Sequence, residues 1–211
     1  MDYFVQAKIG AVLHGRLKKL SGLYVGRTES LWSPLAASMC YQEMAEDVVS
    51  FLDDNGLQRI IFMGHSLGGK TAMQFAVQFP ERVSSLIMVD IAPVQYKHRQ
   101  KILELIETML GLQLPTKMSR SEIEKKLAQK IHDTHILSFL MTNLIFQKGE
   151  FKWLIGLEQI TLRMPDLLNT IELESLYSGL TLFIGGANSD YIKPEYYSRI
   201  KKFFQRVMKR C

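Results

Sequence analysis

Apolar positions along the chain alternate between two periods. From Tyr41 to Asp54, Met44, Val48, Phe51 and Leu52 recur at helical spacing, and Asn55-Gly56 follows as a C-terminal cap. Gln58 to Met63 is β-branched and apolar and predicts a strand. Helical spacing returns from Leu67 to Gln78 through Leu67, Thr71, Gln74 and Phe75, and stops at Phe79-Pro80. Ser85 to Val89 predicts a parallel strand reached through a crossover. Residues 95 to about 172 are helical in pattern: one face holds Ile102, Leu105, Ile106, Met109 and Leu110, and another Ile136, Leu137, Leu140, Met141 and Leu144. Between them, Ser119-x-x-Glu122 or Ser121-x-x-Glu124 offers a capping box. Leu180 to Ile184 returns to a strand, and Pro194 opens a last helix through Tyr197, Ile200, Phe203 and Phe204.

Strands alternating with helices predict an α/β protein with a mostly parallel sheet. Four segments follow: an atypical N-terminal segment over 1–31, a core over 32–94, a helical lid over 95–172, and a return strand with a basic C-terminal helix over 173–211. The N-terminal segment has the weakest pattern. Ile9 to His14 predicts a short strand ending in a His14-Gly15 turn.

Chemistry concentrates at Gly64-x-Ser66-x-Gly68, set between a predicted strand and a predicted helix. A hydroxyl at the tip of a sharp strand-to-helix turn is lifted clear of the backbone, and glycines let strand and helix approach closely. This pattern proposes Ser66 as a nucleophile. The Leu67 N–H, in the first turn of the helix, is the expected first donor to an oxyanion. Asp90, in Asp90-Ile-Ala-Pro93, ends the neighbouring strand, on the edge where open α/β sheets place their ligands; an Asp there also caps turns for backbone reasons alone.

Composition narrows the setting. With 211 residues the chain suits one domain with a sizeable core, and no apolar run reaches the roughly 20 residues that a membrane span needs. The net charge of +5 comes from the tail: from Tyr191 onward seven bases face one acid, Glu195, and the remainder sums to about −1. That distribution argues for a solvated helix face and against a nucleic-acid partner. Cys40 and Cys211 build no disulfide framework, which suits an intracellular setting, and the N-terminus lacks the apolar core of a secretory signal. Neither a metal nor a cofactor is called for by any motif.

Several stretches together resemble the α/β-hydrolase-fold esterases and lipases of the α/β-hydrolase-domain-eleven type. They are Tyr41-x-x-Met44-Ala-Glu-Asp47-Val, Gly64-His-Ser-Leu-Gly-Gly-Lys-Thr-Ala-Met73, Val89-Asp-Ile-Ala-Pro93, Leu140-Met-Thr-Asn143, Phe151-Lys-Trp153 and Thr181-Leu-Phe-Ile-Gly-Gly-Ala-Asn-Ser189. The resemblance runs from about Trp32 to Phe204. It implies a serine hydrolase of carboxylic esters, including lipid esters of the diacylglycerol type, with a mitochondrial setting. Ser66 then takes the place of the nucleophile. Asp90 matches the acid of the bacterial relatives, Glu158 falls where the animal branch has its acid, and Asp190 is a third, weaker choice.

The resemblance also implies a histidine base in a Gly-His-Trp segment after a final strand, and the chain has none. Its histidines are His14, His65, His98, His132 and His135. The expectation is therefore an α/β-hydrolase trimmed at both ends, lacking the final strand and helix and part of the N-terminal sheet, and marginally folded. A chain without its base is either a weakened enzyme or a binding or regulatory protein with an unidentified protein partner.

Overall fold

In the computed structural model the described residues are 3–7, 22–25, 40–96, 99–114, 118–168 and 171–210. Six strands form one parallel sheet: β1 (Tyr3–Ala7), β2 (Gly22–Val25), β3 (Ile60–His65), β4 (Val83–Val89), β7 (Tyr177–Ile184) and β8 (Phe204–Arg210), in the order β2-β1-β3-β4-β7-β8. From β1 the chain moves outward to β2 and then returns to β1's other side as β3. The sheet therefore reverses direction between β1 and β3, and open α/β sheets bind ligands outside the strand C-termini at such a point. Ser66 follows β3 directly.

The helices α1 (Tyr41–Asp54) and α2 (Leu67–Gln78) span the ranges their spacing predicts. Gly56, at φ +66°, ends α1 in the left-handed conformation that favours glycine. Leu52, Phe62, Phe75, Leu86 and Met88 are fully buried between sheet and helices. The Phe62 and Phe75 rings meet edge to face at 5.5 Å.

Between β4 and β7 lies an insertion with its own apolar cluster around Ile106, Met109, Ile123, Leu127 and Leu144. It holds α3 (Arg99–Leu110), α4 (Arg120–Ala128), α5 (Thr134–Met141) and α6 (Leu157–Leu168). The Ser119/Glu122 pair forms a full capping box at the start of α4. The insertion is not wholly helical: β5 (Leu144–Gln147) and β6 (Glu150–Trp153) make an antiparallel hairpin. Its two-residue turn places Lys148 and Gly149 at φ 54° and 87°, the conformation a tight hairpin requires.

The C-terminal end corrects the sequence reading, and the N-terminal end adds to the sheet. The N-terminal segment supplies two sheet strands, and the expected strand at Ile9–His14, with its His14-Gly15 turn, lies outside the described residues. At the other end, α7 (Tyr197–Phe203) stops one residue before the sequence predicts, and the basic stretch from Phe204 is strand β8, hydrogen-bonded along β7. Tyr197, Ile200, Phe203 and Phe204 satisfy helical spacing, which hid the strand. Burial decides for the sheet: Phe204 is fully buried, with its ring 5.7 Å from Phe183 and 6.4 Å from Tyr177. The edge of β7 is covered by β8, so a strand follows the return strand where the sequence reading expected none.

Candidate active site

Ser66 sits at φ 53°, ψ −123°, between the last residue of β3 and the first of α2. A left-handed φ at a β-carbon-bearing residue costs on the order of 1–3 kcal/mol, so the surroundings must enforce it. They do so by glycine contact. A β-carbon on Gly64 would stand 2.4 Å from the Gly68 carbonyl oxygen and 2.5 Å from the Gly69 Cα, and one on Gly69 would stand 2.4 Å from Ile91 Cγ2. Strand and helix thus cross at backbone contact, and Ser66 is left exposed at the corner. Its carbonyl accepts the Gly69 and Lys70 N–H groups, which starts α2. Leu67 opens the helix, and its N–H is among the first-turn amides that no intrahelical carbonyl can reach.

Asp90 ends β4 and also has a left-handed φ, 52°. Its N–H bonds to the Ile184 carbonyl at 2.8 Å. The side chain is fixed from the β7 loop: Ser189 Oγ donates to Oδ2 at 2.7 Å, and the Gly186 N–H donates to Oδ1 at 3.4 Å. The two acids read alongside it stand elsewhere. Glu158 is exposed in the first turn of α6 and does not line the cavity beside Ser66. Asp190 is exposed and pairs with Lys193 at 3.1 Å. His14 and His98 lie outside the described residues, and none of His65, His132 and His135 lines the cavity.

The cavity, of about 380 Å³, opens between the sheet edge and the insertion. Ser66 and Leu67 form its floor, and Leu105, Ile106, Met109, Leu140, Met164 and Leu167 much of its wall. Ile136 and Phe139, both lining residues and both exposed, give it an apolar rim. An apolar wall with a few polar groups is the usual character of a small-molecule site.

One of those groups had no sequence signal beyond its place in the Gly64–Met73 stretch. Lys70, one helical turn after Ser66, is 3% exposed and lines the cavity. Its Nζ lies 5.7 Å from the centre of the Tyr41 ring and 5.6 Å from that of Tyr96. Burial pulls its ammonium down to about 8 from the usual 10.5. Both tyrosines are pushed well above their usual range, chiefly by burial, and stay neutral. The Tyr41 hydroxyl donates to the Leu167 carbonyl at 2.6 Å. That of Tyr96 accepts from the Ala92 N–H at 2.6 Å and donates to the Tyr191 carbonyl at 2.7 Å.

A parallel sheet reversing beside β3, a serine at a strained strand–helix corner and an acid at the next strand end define an α/β-hydrolase. Residues 23–146 match the family model described as "alpha/beta hydrolase fold", and the chain belongs to that family. It is 37% identical over 176 residues to the "sn-1-specific diacylglycerol lipase ABHD11" of Xenopus laevis, covering 82% of this chain and 56% of the relative. The Mus musculus protein of that name is 34% identical over 179 residues, with coverage of 83% and 58%. "Esterase YbfF" of Escherichia coli (strain K12) is 27% identical over 164 residues, 78% of this chain and 62% of that protein. The chain thus spans little more than half the length of the vertebrate relatives it matches. Among solved structures, "Marine microorganism esterase" superposes with a TM-score of 0.85 at 26% identity, covering 100% of this chain and 87% of that one.

Proposed function

We propose that the chain carries the substrate-binding and nucleophile-bearing part of a serine hydrolase acting on carboxylic esters with apolar acyl groups. The observation that carries this reading is Ser66, exposed at a left-handed corner enforced by glycine contacts and facing an apolar cavity. The likeness to relatives named as lipases and esterases supports the same chemistry. Lipid esters are the substrate class that the cavity wall and the vertebrate relatives favour.

In this reading the Ser66 oxygen attacks the acyl carbon, and the negative charge that develops on the carbonyl oxygen is met by the Leu67 N–H at the positive end of α2. A serine hydroxyl at neutral pH needs an adjacent base to take its proton. Asp90 is the acid that orients this base: it stands at the neighbouring strand end, with both carboxylate oxygens already held. Glu158, exposed in the first turn of α6 and without a hydrogen bond to its carboxylate among the described residues, is the alternative acid, ranked against Asp90 by the labelling rates of Asp90→Asn and Glu158→Gln. The base itself is unassigned, since no described histidine lines the cavity.

The test is covalent labelling of the folded chain by a fluorophosphonate probe, read as intact mass, with Ser66→Ala as control. A single adduct, absent in the control, is the expected result. A folded chain that takes no adduct, yet still binds ester ligands, would overturn the hydrolase reading in favour of a binding protein.

A further inference from the structure

The loops that leave β4 and β7 are joined by a circuit of hydrogen bonds that begins and ends beside Asp90. Ser189, in the loop after β7, donates its hydroxyl proton to Asp90 Oδ2 at 2.7 Å, and its oxygen accepts the Tyr191 N–H at 3.2 Å. The Tyr191 carbonyl accepts the Tyr96 hydroxyl at 2.7 Å, and the Tyr96 oxygen accepts the N–H of Ala92, two residues after Asp90, at 2.6 Å. The direction of each bond is fixed, because a backbone N–H only donates and a carboxylate only accepts. The Tyr96 ring is itself held in place: it stands 5.0 Å from the Tyr191 ring and meets the Tyr196 ring edge-on at 6.1 Å.

Asp90 needs such a frame. Its φ of 52° is a conformation that an aspartate keeps only where its surroundings enforce it. The sheet ladder ends with the Asp90 N–H on the Ile184 carbonyl, and both donors to the Asp90 carboxylate, Ser189 and Gly186, come from the loop beyond that point. A shift of the β7 loop relative to β4 therefore moves the acid. We infer that Tyr96 is a positioning residue of this site: its hydroxyl locks the β7 loop to the β4 loop and, through Tyr191 and Ser189, sets where the Asp90 carboxylate stands. The inference rests on the hydrolase reading, in which Asp90 orients the base. Tyr96 also lines the cavity, so an effect through Asp90 has to be separated from a contact with the substrate.

The test follows fluorophosphonate labelling of the folded full chain against probe concentration, which separates the limiting rate from the concentration that half-saturates it. Tyr96→Phe keeps the ring and removes the hydroxyl. The expected result is a limiting rate about three- to tenfold lower, within the range that one neutral hydrogen bond supplies, with the half-saturating concentration within about twofold of wild type. Ser189→Ala breaks the circuit next to Asp90, leaves the Gly186 N–H on Oδ1, and lowers the limiting rate on its own. Because the two side chains act in series, adding Tyr96→Phe to Ser189→Ala lowers the rate by less than about twofold further, whereas a general loosening of the fold acts in full in both backgrounds. If Tyr96→Phe fails to fold, as read by circular dichroism, Tyr96→Met takes its place with the same expectations. An unchanged limiting rate in Tyr96→Phe, an effect confined to the half-saturating concentration, or a full-sized effect in the Ser189→Ala background overturns the inference and leaves the hydrolase reading standing. A folded wild-type chain that takes no adduct overturns the hydrolase reading and this inference with it, so the wild type tells the two failures apart.

Discussion

Replacing Lys70 by Met is expected to stabilise the protein at neutral pH. Moving the ammonium from its usual 10.5 to about 8 corresponds to roughly 3 kcal/mol of unfavourable charge burial, at about 1.4 kcal/mol per pH unit. Against this stand the contacts that methionine forfeits, among them the two tyrosine rings, each contributing about 0.5–1 kcal/mol of cation–π attraction. Methionine keeps the length of the aliphatic stem, so packing changes little. The expectation is a net gain at pH 7.5, read as the difference in urea unfolding free energy.

The pH dependence of that difference is the sharper test. Between about pH 8 and 10.5 the folded chain binds fewer protons at Lys70 than the unfolded chain, so stability rises with pH across this window. From pH 7.5 to 9.5 the wild type should gain about 2 kcal/mol from this group, and the methionine variant should not. Above pH 10 the sign reverses in both proteins. Tyr41, Tyr96 and Tyr177 hold their protons more tightly when folded, so the unfolded chain loses protons first and stability falls. A methionine variant that is less stable at pH 7.5, or a difference that is flat from pH 7.5 to 9.5, would refute the claim that this lysine is held in the cavity wall at a cost.

Further expectations follow from single contacts. Gly64→Ala forces a β-carbon to 2.4 Å from a backbone oxygen and should cost about 3 kcal/mol, with loss of fluorophosphonate labelling; a variant that labels normally would disprove the tight corner. Phe204→Ala, at a fully buried ring, should cost about 3–5 kcal/mol in urea unfolding, whereas a loss below about 1 kcal/mol would mean that β8 is not part of the sheet. Asp90→Asn should slow labelling more than Glu158→Gln does; the reverse ranking would move the acid to α6. Ser119→Ala removes one half of the capping box and should lower the melting temperature with a cost of about 1 kcal/mol.

What could be read from the sequence is what local pattern dictates. The ranges of α1 and α2, the strand between them and the corner at Ser66 follow from spacing, caps and glycine placement, which act within a few residues of each other. The failures share a different cause. Phe204–Arg210 is basic and its first residue fits helical spacing, and pairing with β7, whose Tyr177 and Phe183 stand 27 and 21 residues before Phe204, makes it a strand. The hairpin at Leu144–Trp153 was absorbed into a helical stretch because Leu144 continues the apolar face of α5; its left-handed turn at Lys148-Gly149 was the available signal. Of the site, Ser66, Leu67 and Asp90 were legible because each stands at the end of a predicted element. Lys70 was not, because a lysine on a helix is ordinary until burial is known.

Burial also shows where the molecule departs from its most stable arrangement. Among the described residues, three that carry a β-carbon have left-handed φ; Lys148 forms the hairpin turn, and the other two are Ser66 and Asp90, at adjacent strand ends on one edge. The buried ammonium of Lys70 lies on the wall of the cavity that Ser66 faces. Each is unfavourable by about 1–3 kcal/mol, large beside a total stability of about 5–15 kcal/mol. Sequences that specify a fold avoid such features unless a site requires them. Ser66 and Lys70 meet at one apolar cavity, which argues for a site there independently of the Gly-x-Ser-x-Gly pattern, since a short pattern can recur by chance.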